Sequence, residues 1–124
     1  MKPSAHKHLI VRAIFNSFPK PEETEYFNTF IRDLIRKVRM QILVQPQTIW
    51  CDHPGNEGHT STCIISTSHC VLHTFEADST FQFDLYSCAP FTPEEVVACI
   101  REYFDVASIE YKFIDREKDL SLIE

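Results

Sequence analysis

Only two stretches of this chain carry apolar residues at helical spacing, and that shortage of helices restricts the fold more than any other feature. In the first, Phe27, Phe30, Ile31, Leu34, Ile35 and Val38 fall on one helical face. Pro21, Glu22 and Glu23 suit its first turn, while Arg36, Lys37 and Arg39 crowd its other end, the charge order that complements a helix dipole. The second has sharper punctuation: Thr92 as N-cap, Pro93 at the first position and Glu95 closing a capping box, with Val96, Val97, Ile100 and Phe104 as its buried face. Between and around them, residues 8–15, 40–44, 60–67, 69–75 and 81–86 read as strands. A last strand runs through Ile109, Tyr111 and Phe113, and the acidic tail is expected to fray after Asp115. Residues 45–58 hold Pro46, Pro54 and both glycines and read as a long irregular loop. The order β-α-β-β-β-β-α-β offers too few crossover helices for a doubly wound parallel sheet. It predicts an α/β chain of the α+β kind: a two-layer sandwich, a mostly antiparallel sheet with two helices on one face. At 124 residues it reads as a single domain spanning positions 1–124.

Such a sheet leaves one face without helices, and side-chain alternation says which residues occupy it. Phe81, Phe83 and Leu85 alternate with Gln82, Asp84, Tyr86 and Cys88, and the apolar set suits the helix layer. On the preceding strand Cys70, Leu72 and Thr74 alternate with His69, Val71, His73 and Phe75. If the two runs form a hairpin across residues 76–80, His73 opposite Asp84 would set Cys88 across from His69, beside Ser68. That register would gather a serine, two histidines, a thiol and an aromatic ring on the free face.

Composition narrows the function. Lys+Arg 12 against Asp+Glu 18 gives a net charge of −6, which argues against a nucleic-acid partner, since phosphate binding needs a basic stripe. With Gly55 and Gly58 as the only glycines, a P-loop or dinucleotide fingerprint is excluded. Residues 1–8 are polar and open no signal-like apolar run, and no stretch approaches the roughly 20 apolar residues of a membrane span, so neither export nor a membrane is expected. Five cysteines, an odd number, then suit reduced thiols and a cytoplasmic setting. Cys63, Cys70 and Cys99 read as core residues. His69-x3-His73 has a zinc-like spacing, but four residues along a strand span about 13 Å and cannot clasp one ion. No metal site is expected.

The densest chemistry lies in Ile65-Ser66-Thr67-Ser68-His69-Cys70-Val71-Leu72-His73-Thr74-Phe75, followed at a fixed distance by Phe83-Asp84-Leu85-Tyr86-Ser87-Cys88. These segments resemble the short, prokaryotic-type S-adenosylmethionine decarboxylase family, which carries I-S-x-S-H-x-x-x-H-T-aromatic and then a strand ending in cysteine. More weakly, His8-Leu9 is similar to the start of the family's first strand, and Gly58 to a glycine upstream of its site.

The resemblance implies an enzyme that makes its own cofactor. The chain would cleave itself between Thr67 and Ser68: the Ser68 hydroxyl attacks the Thr67 carbonyl, and elimination then leaves a dehydroalanine that hydrolyses to a pyruvoyl group. Thr60 and His73 align with the family's processing serine and histidine. The pyruvoyl carbonyl would form a Schiff base with the substrate amine, as pyridoxal phosphate does elsewhere. Cys88 holds the family's acid position, and a thiol can donate a proton at neutral pH. His73 is counted with Ser68 and Cys88 in the catalytic set.

Substrate-binding residues under the same resemblance are Phe75, aligned with an adenine-stacking aromatic, and Glu76. Three departures are visible. Thr67 stands where short members carry glutamate; the aromatic-Pro-Glu run is Phe75-Glu76-Ala77, which moves the ribose carboxylate one residue early; and the second stacking aromatic has no direct counterpart, leaving Trp50 or His53. The expected function is therefore a self-processing S-adenosylmethionine decarboxylase proenzyme supplying spermidine synthesis, working as a homodimer of cleaved protomers on a small-molecule substrate. Two alternatives stay open: the same pyruvoyl chemistry on ornithine or arginine, and an uncleaved, non-catalytic homologue.

Overall fold

A computed structural model describes residues 6–123. Six strands and two helices follow in the order β1 (Lys7–Phe15), α1 (Thr24–Lys37), β2 (Ile42–Cys51), β3 (Gly58–Ile65), β4 (Ser68–Phe75), β5 (Thr80–Ser87), α2 (Pro93–Tyr103) and β6 (Val106–Asp115). All five strand pairings are antiparallel, in the spatial order β2-β3-β4-β5-β1-β6. Both helices pack on one face, giving the expected two-layer α+β sandwich. β1 thus enters the middle of the sheet, between β5 and β6, although it opens the chain.

Alternation builds the core. Leu9, Val11, Ala13 and Phe15 of β1, Cys70 and Leu72 of β4, and Phe81, Phe83 and Leu85 of β5 all point into the helix layer and are buried. There they meet Phe27, Phe30, Ile31, Leu34 and Ile35 of α1 and Val96, Cys99 and Ile100 of α2. Phe104, just past α2, joins the layers: its ring lies 5.1 Å from Phe15, 5.5 Å from Phe27, 5.0 Å from Phe30 and 5.6 Å from Phe81. Each fully buried side chain of this size contributes about 1.5–3 kcal/mol. The capping box of α2 is complete, with Glu95 N–H donating to Thr92 Oγ1 and Thr92 N–H donating to the Glu95 carboxylate.

Four expectations change. α1 starts at Thr24, after a turn in which the Lys20 N–H donates to the Glu23 carboxylate at 2.6 Å; Pro21 therefore lies before the helix. The long loop shrinks to residues 52–57, because β2 continues to Cys51. Pro46 is accommodated since β2 is an edge strand and its register shifts between Val44 and Gln47, where the missing N–H breaks no ladder. The hairpin closes at Phe75 opposite Thr80, so His73 faces Gln82, and Asp84 faces Val71. A slip of two residues leaves every side chain on its own face, so the face assignment survives while the cross-strand partners change. Finally, the tail does not fray at Asp115: it turns back, with Asp115 N–H donating to Ser121 O and Ile123 N–H to Phe113 O.

Gly58 opens β3 where another strand comes very close. A Cβ there would lie 1.7 Å from the Thr74 carbonyl oxygen, so no other residue fits without moving backbone.

Candidate active site

β3 and β4 are joined by the two-residue turn Ser66-Thr67, closed by the pairing of Ile65 with Ser68. Ser66 N–H donates to Gln41 O at 2.9 Å, tying the turn to the segment after α1. Thr67 sits at φ +51°. A β-branched residue in the left-handed region crowds its own Cβ against the backbone, at a cost of about 1–2 kcal/mol. The strained residue is the one whose carbonyl forms the peptide bond to Ser68.

Ser68 is half-buried at the first position of β4, and Cys88 follows the last residue of β5. Their side chains meet: Ser68 Oγ lies 3.6 Å from Cys88 Sγ and accepts the Cys88 backbone N–H at 3.0 Å. The thiol is also 3.6 Å from the Ser66 carbonyl oxygen. Both line a cavity of about 270 Å³ together with Arg39, Met40, Gln41, Ser66 and Ala89. Arg39 is held there by the Glu95 carboxylate at 2.6 Å, and the guanidinium in turn keeps the Glu95 pKa down at about 2. These residues were not anticipated. Their contribution comes from a chain reversal after α1, where Arg39 itself takes φ +64°, and no local motif announces it.

Thr60 and His73 form a second pair. They are directly opposed on β3 and β4, with Thr60 Oγ1 2.9 Å from His73 Nδ1. The Phe75 ring stands 6.2 Å from that of His73 on the same face. The two pairs are not brought together. Ser68 shares its strand parity with the buried Cys70 and Leu72, whereas His69, His73 and Phe75 lie on the free face. Five residues of strand separate Ser68 from His73, about 16 Å. The single cluster expected on the free face is thus two: Ser68 with Cys88 at the sheet end, Thr60 with His73 further along. His69 faces Tyr86 rather than Cys88.

Glu76 opens a short 3-10 turn (Glu76–Asp78), its N–H donating to Glu57 O, and burial together with the Glu57 charge raises its pKa. Trp50 lies edge-on to His59, 4.9 Å between rings, and that histidine is buried against Phe27 of α1. Trp50 is therefore committed to the helix side and does not stand beside Phe75.

The sequence model described as S-adenosylmethionine decarboxylase matches residues 7–117. The chain belongs to this family. It is 30% identical over 112 residues to an S-adenosylmethionine decarboxylase proenzyme of Clostridium botulinum strain Hall, covering 90% of this chain and 93% of the relative. It is 29% identical over 112 residues, with the same coverage, to the proenzyme of the Langeland strain. The crystal structure of the adenosylmethionine decarboxylase of Aquifex aeolicus superposes with a TM-score of 0.69, covering 96% of this chain and 98% of that one at 12% identity, a likeness of fold. Membership in the S-adenosylmethionine decarboxylase family makes the chain a decarboxylase by descent, and the Ser68–Cys88 contact lies within the matched span. No helix among the described residues is long and apolar enough to cross a membrane.

Proposed function

We propose that this chain is an S-adenosylmethionine decarboxylase proenzyme that cleaves itself between Thr67 and Ser68. The observation that carries the reading is a hydroxyl and a thiol in contact next to Thr67, a residue held at φ +51°, opening on a cavity. Attack of Ser68 Oγ on the Thr67 carbonyl moves the acyl group from nitrogen to oxygen, beside a residue whose φ of +51° marks local backbone strain. The cavity and the Cys88 donors fit a small carbonyl group at position 68. A pyruvoyl group there supplies an electron sink for loss of CO₂ from an α-amino acid. Cys88 holds a proton about one contact distance from that position and is the general acid for the α-carbon.

Thr60 and His73 are the proton-handling pair of processing, yet they lie about 16 Å along β4 from Ser68 in their own chain. The free face that carries them is the surface on which a second copy would pack, and we assign the enzyme as a homodimer with its sites near that interface. Phe75 remains the platform for an adenine ring. Glu76, one position early and in a 3-10 turn, is the carboxylate nearest that platform in sequence. The product serves spermidine synthesis under this reading, in the cytoplasm.

Intact mass tests it. The purified protein should consist of residues 1–67 and residues 68–124, the second blocked at its N-terminus, and Ser68→Ala should stay a single chain of 124 residues. A stable full-length wild-type chain without carbonyl reactivity would overturn the proposal. Release of CO₂ from carboxyl-labelled S-adenosylmethionine, against ornithine and arginine, then assigns the substrate.

A further inference from the structure

Among the described residues, two groups of side chains bring three metal-capable atoms within 4.8 Å of one another: Asp33 with Cys99 and Glu102, and His8 with His69 and Asp84. The first already encloses a cation, since Lys37 Nζ lies 3.3 Å from Asp33 and bonds Glu102 as well. The second encloses none. It is assembled across three strands: His8 on β1 and His69 on β4 both face Tyr86 of β5, from either side, and Asp84 is two residues back on the same face.

His8 Nε2 is 3.5 Å and His69 Nε2 3.8 Å from the same oxygen, Asp84 Oδ1. Those lengths exceed a good hydrogen bond. They are close to the separation of about 3.3–3.6 Å that two ligands keep around one tetrahedral ion bound at roughly 2.0–2.2 Å. His8 Nε2 and Asp84 Oδ1 are also sealed from solvent with no hydrogen-bond partner, an expensive arrangement for two polar atoms.

We propose that His8, His69 and Asp84 form a binding site for a divalent first-row transition metal of the zinc class. Two imidazoles and one carboxylate are the donors such ions prefer, and they disfavour Mg²⁺ or Ca²⁺, which take oxygen. The ion satisfies both orphaned atoms and pins β1 to β4 and β5 one residue from Ser68. Coordination through His8 Nε2 puts the ring proton on Nδ1, which displaces only the long 3.4 Å contact to Arg116 Nη1. Arg116 keeps its place over the Tyr86 ring, 4.4 Å from the centroid. The fourth position opens on the free face, where His69 is half exposed, and is filled by water.

The test uses the purified, chelator-stripped chain titrated with Zn²⁺ by calorimetry and with Co²⁺ by visible absorption. One equivalent per protomer, cleaved or intact, should bind, with tetrahedral Co²⁺ d–d bands and no thiolate-to-metal charge transfer. Asp84→Asn and His8→Gln should each weaken Zn²⁺ by at least about tenfold. His69→Gln, at a half-exposed position that leaves the fold intact, should do the same. Cys51→Ser and Cys88→Ser should leave binding unchanged. Absence of stoichiometric binding, a Co²⁺–thiolate band, or wild-type affinity in His69→Gln would overturn the assignment.

Discussion

The two faces of one sheet are made from alternate residues of the same strands, and they are built on opposite principles. The helix-covered face is apolar and closed: Leu72, Phe81, Phe83 and Leu85 are at most 2% exposed, and Phe104 knits helices and strands together. The other face carries His8, His69, His73, Asp84 and Tyr86, joined by ion-pair, hydrogen-bond and ring contacts. Stability is concentrated on the first face. The candidate site residues lie on the second and at the sheet end, where Ser68 meets Cys88. The lesson is that a period of two lets a short strand serve both purposes, because neighbouring residues never compete for the same surroundings.

If that division is real, substitutions on the two sides should separate activity from stability. Cys88→Ala should give the largest effect: a fall in kcat of about 10²–10⁴-fold, with cleavage before Ser68 retained and the urea midpoint unchanged. Full decarboxylation in this variant would remove Cys88 as the acid. Phe30→Ala should do the reverse. It removes a fully buried ring and should cost about 3–5 kcal/mol in urea unfolding, while molecules that remain folded keep their activity.

A smaller effect comes from His59, the histidine buried on the helix side. Burial pushes its pKa down, against the weaker pull of its hydrogen bond to Pro21 O. The unfolded chain then takes up the proton first, so stability is full above about pH 6.5 and declines as pH falls below that value. Urea midpoints measured from pH 7.5 to 5 should show this decline, and His59→Gln should flatten it. The Glu95 contribution falls in a separate window, since its carboxyl is held at about 2 and its stabilisation is lost only as pH drops from the ordinary carboxylate range toward that value. Smallest, Thr92→Ala should cost about 1 kcal/mol by opening the capping box, with cleavage retained, because Thr92 belongs to neither the Ser68–Cys88 nor the Thr60–His73 pair.

The helix-side residues were legible from alternation, and the contact between Ser68 and Cys88 agrees with the family resemblance of the segments that carry them. The cross-strand partners were not, because Glu76–Asp78 form a tighter 3-10 closure than a five-residue loop, which shifts the register by two. The continuation of β2 beyond Val44 was missed for a related reason: Pro46 and the bulges around it disguise a strand that needs partners on one side only. Arg39 and Gln41 entered the cavity through a chain reversal that leaves no pattern in the residues before it.

What the residues alone determined is the two helices, the existence of each strand, and which side chains share a face. Each depends on period and on neighbours in the chain. Only the tertiary structure decided that β1 lies between β5 and β6, that His8 therefore meets Asp84 and His69, and that Arg39 and Gln41 join Ser68 and Cys88 around one cavity. Strand order rests on long-range pairing among segments of similar local preference, and the burial that selects one order over another exists only once the whole sheet has formed.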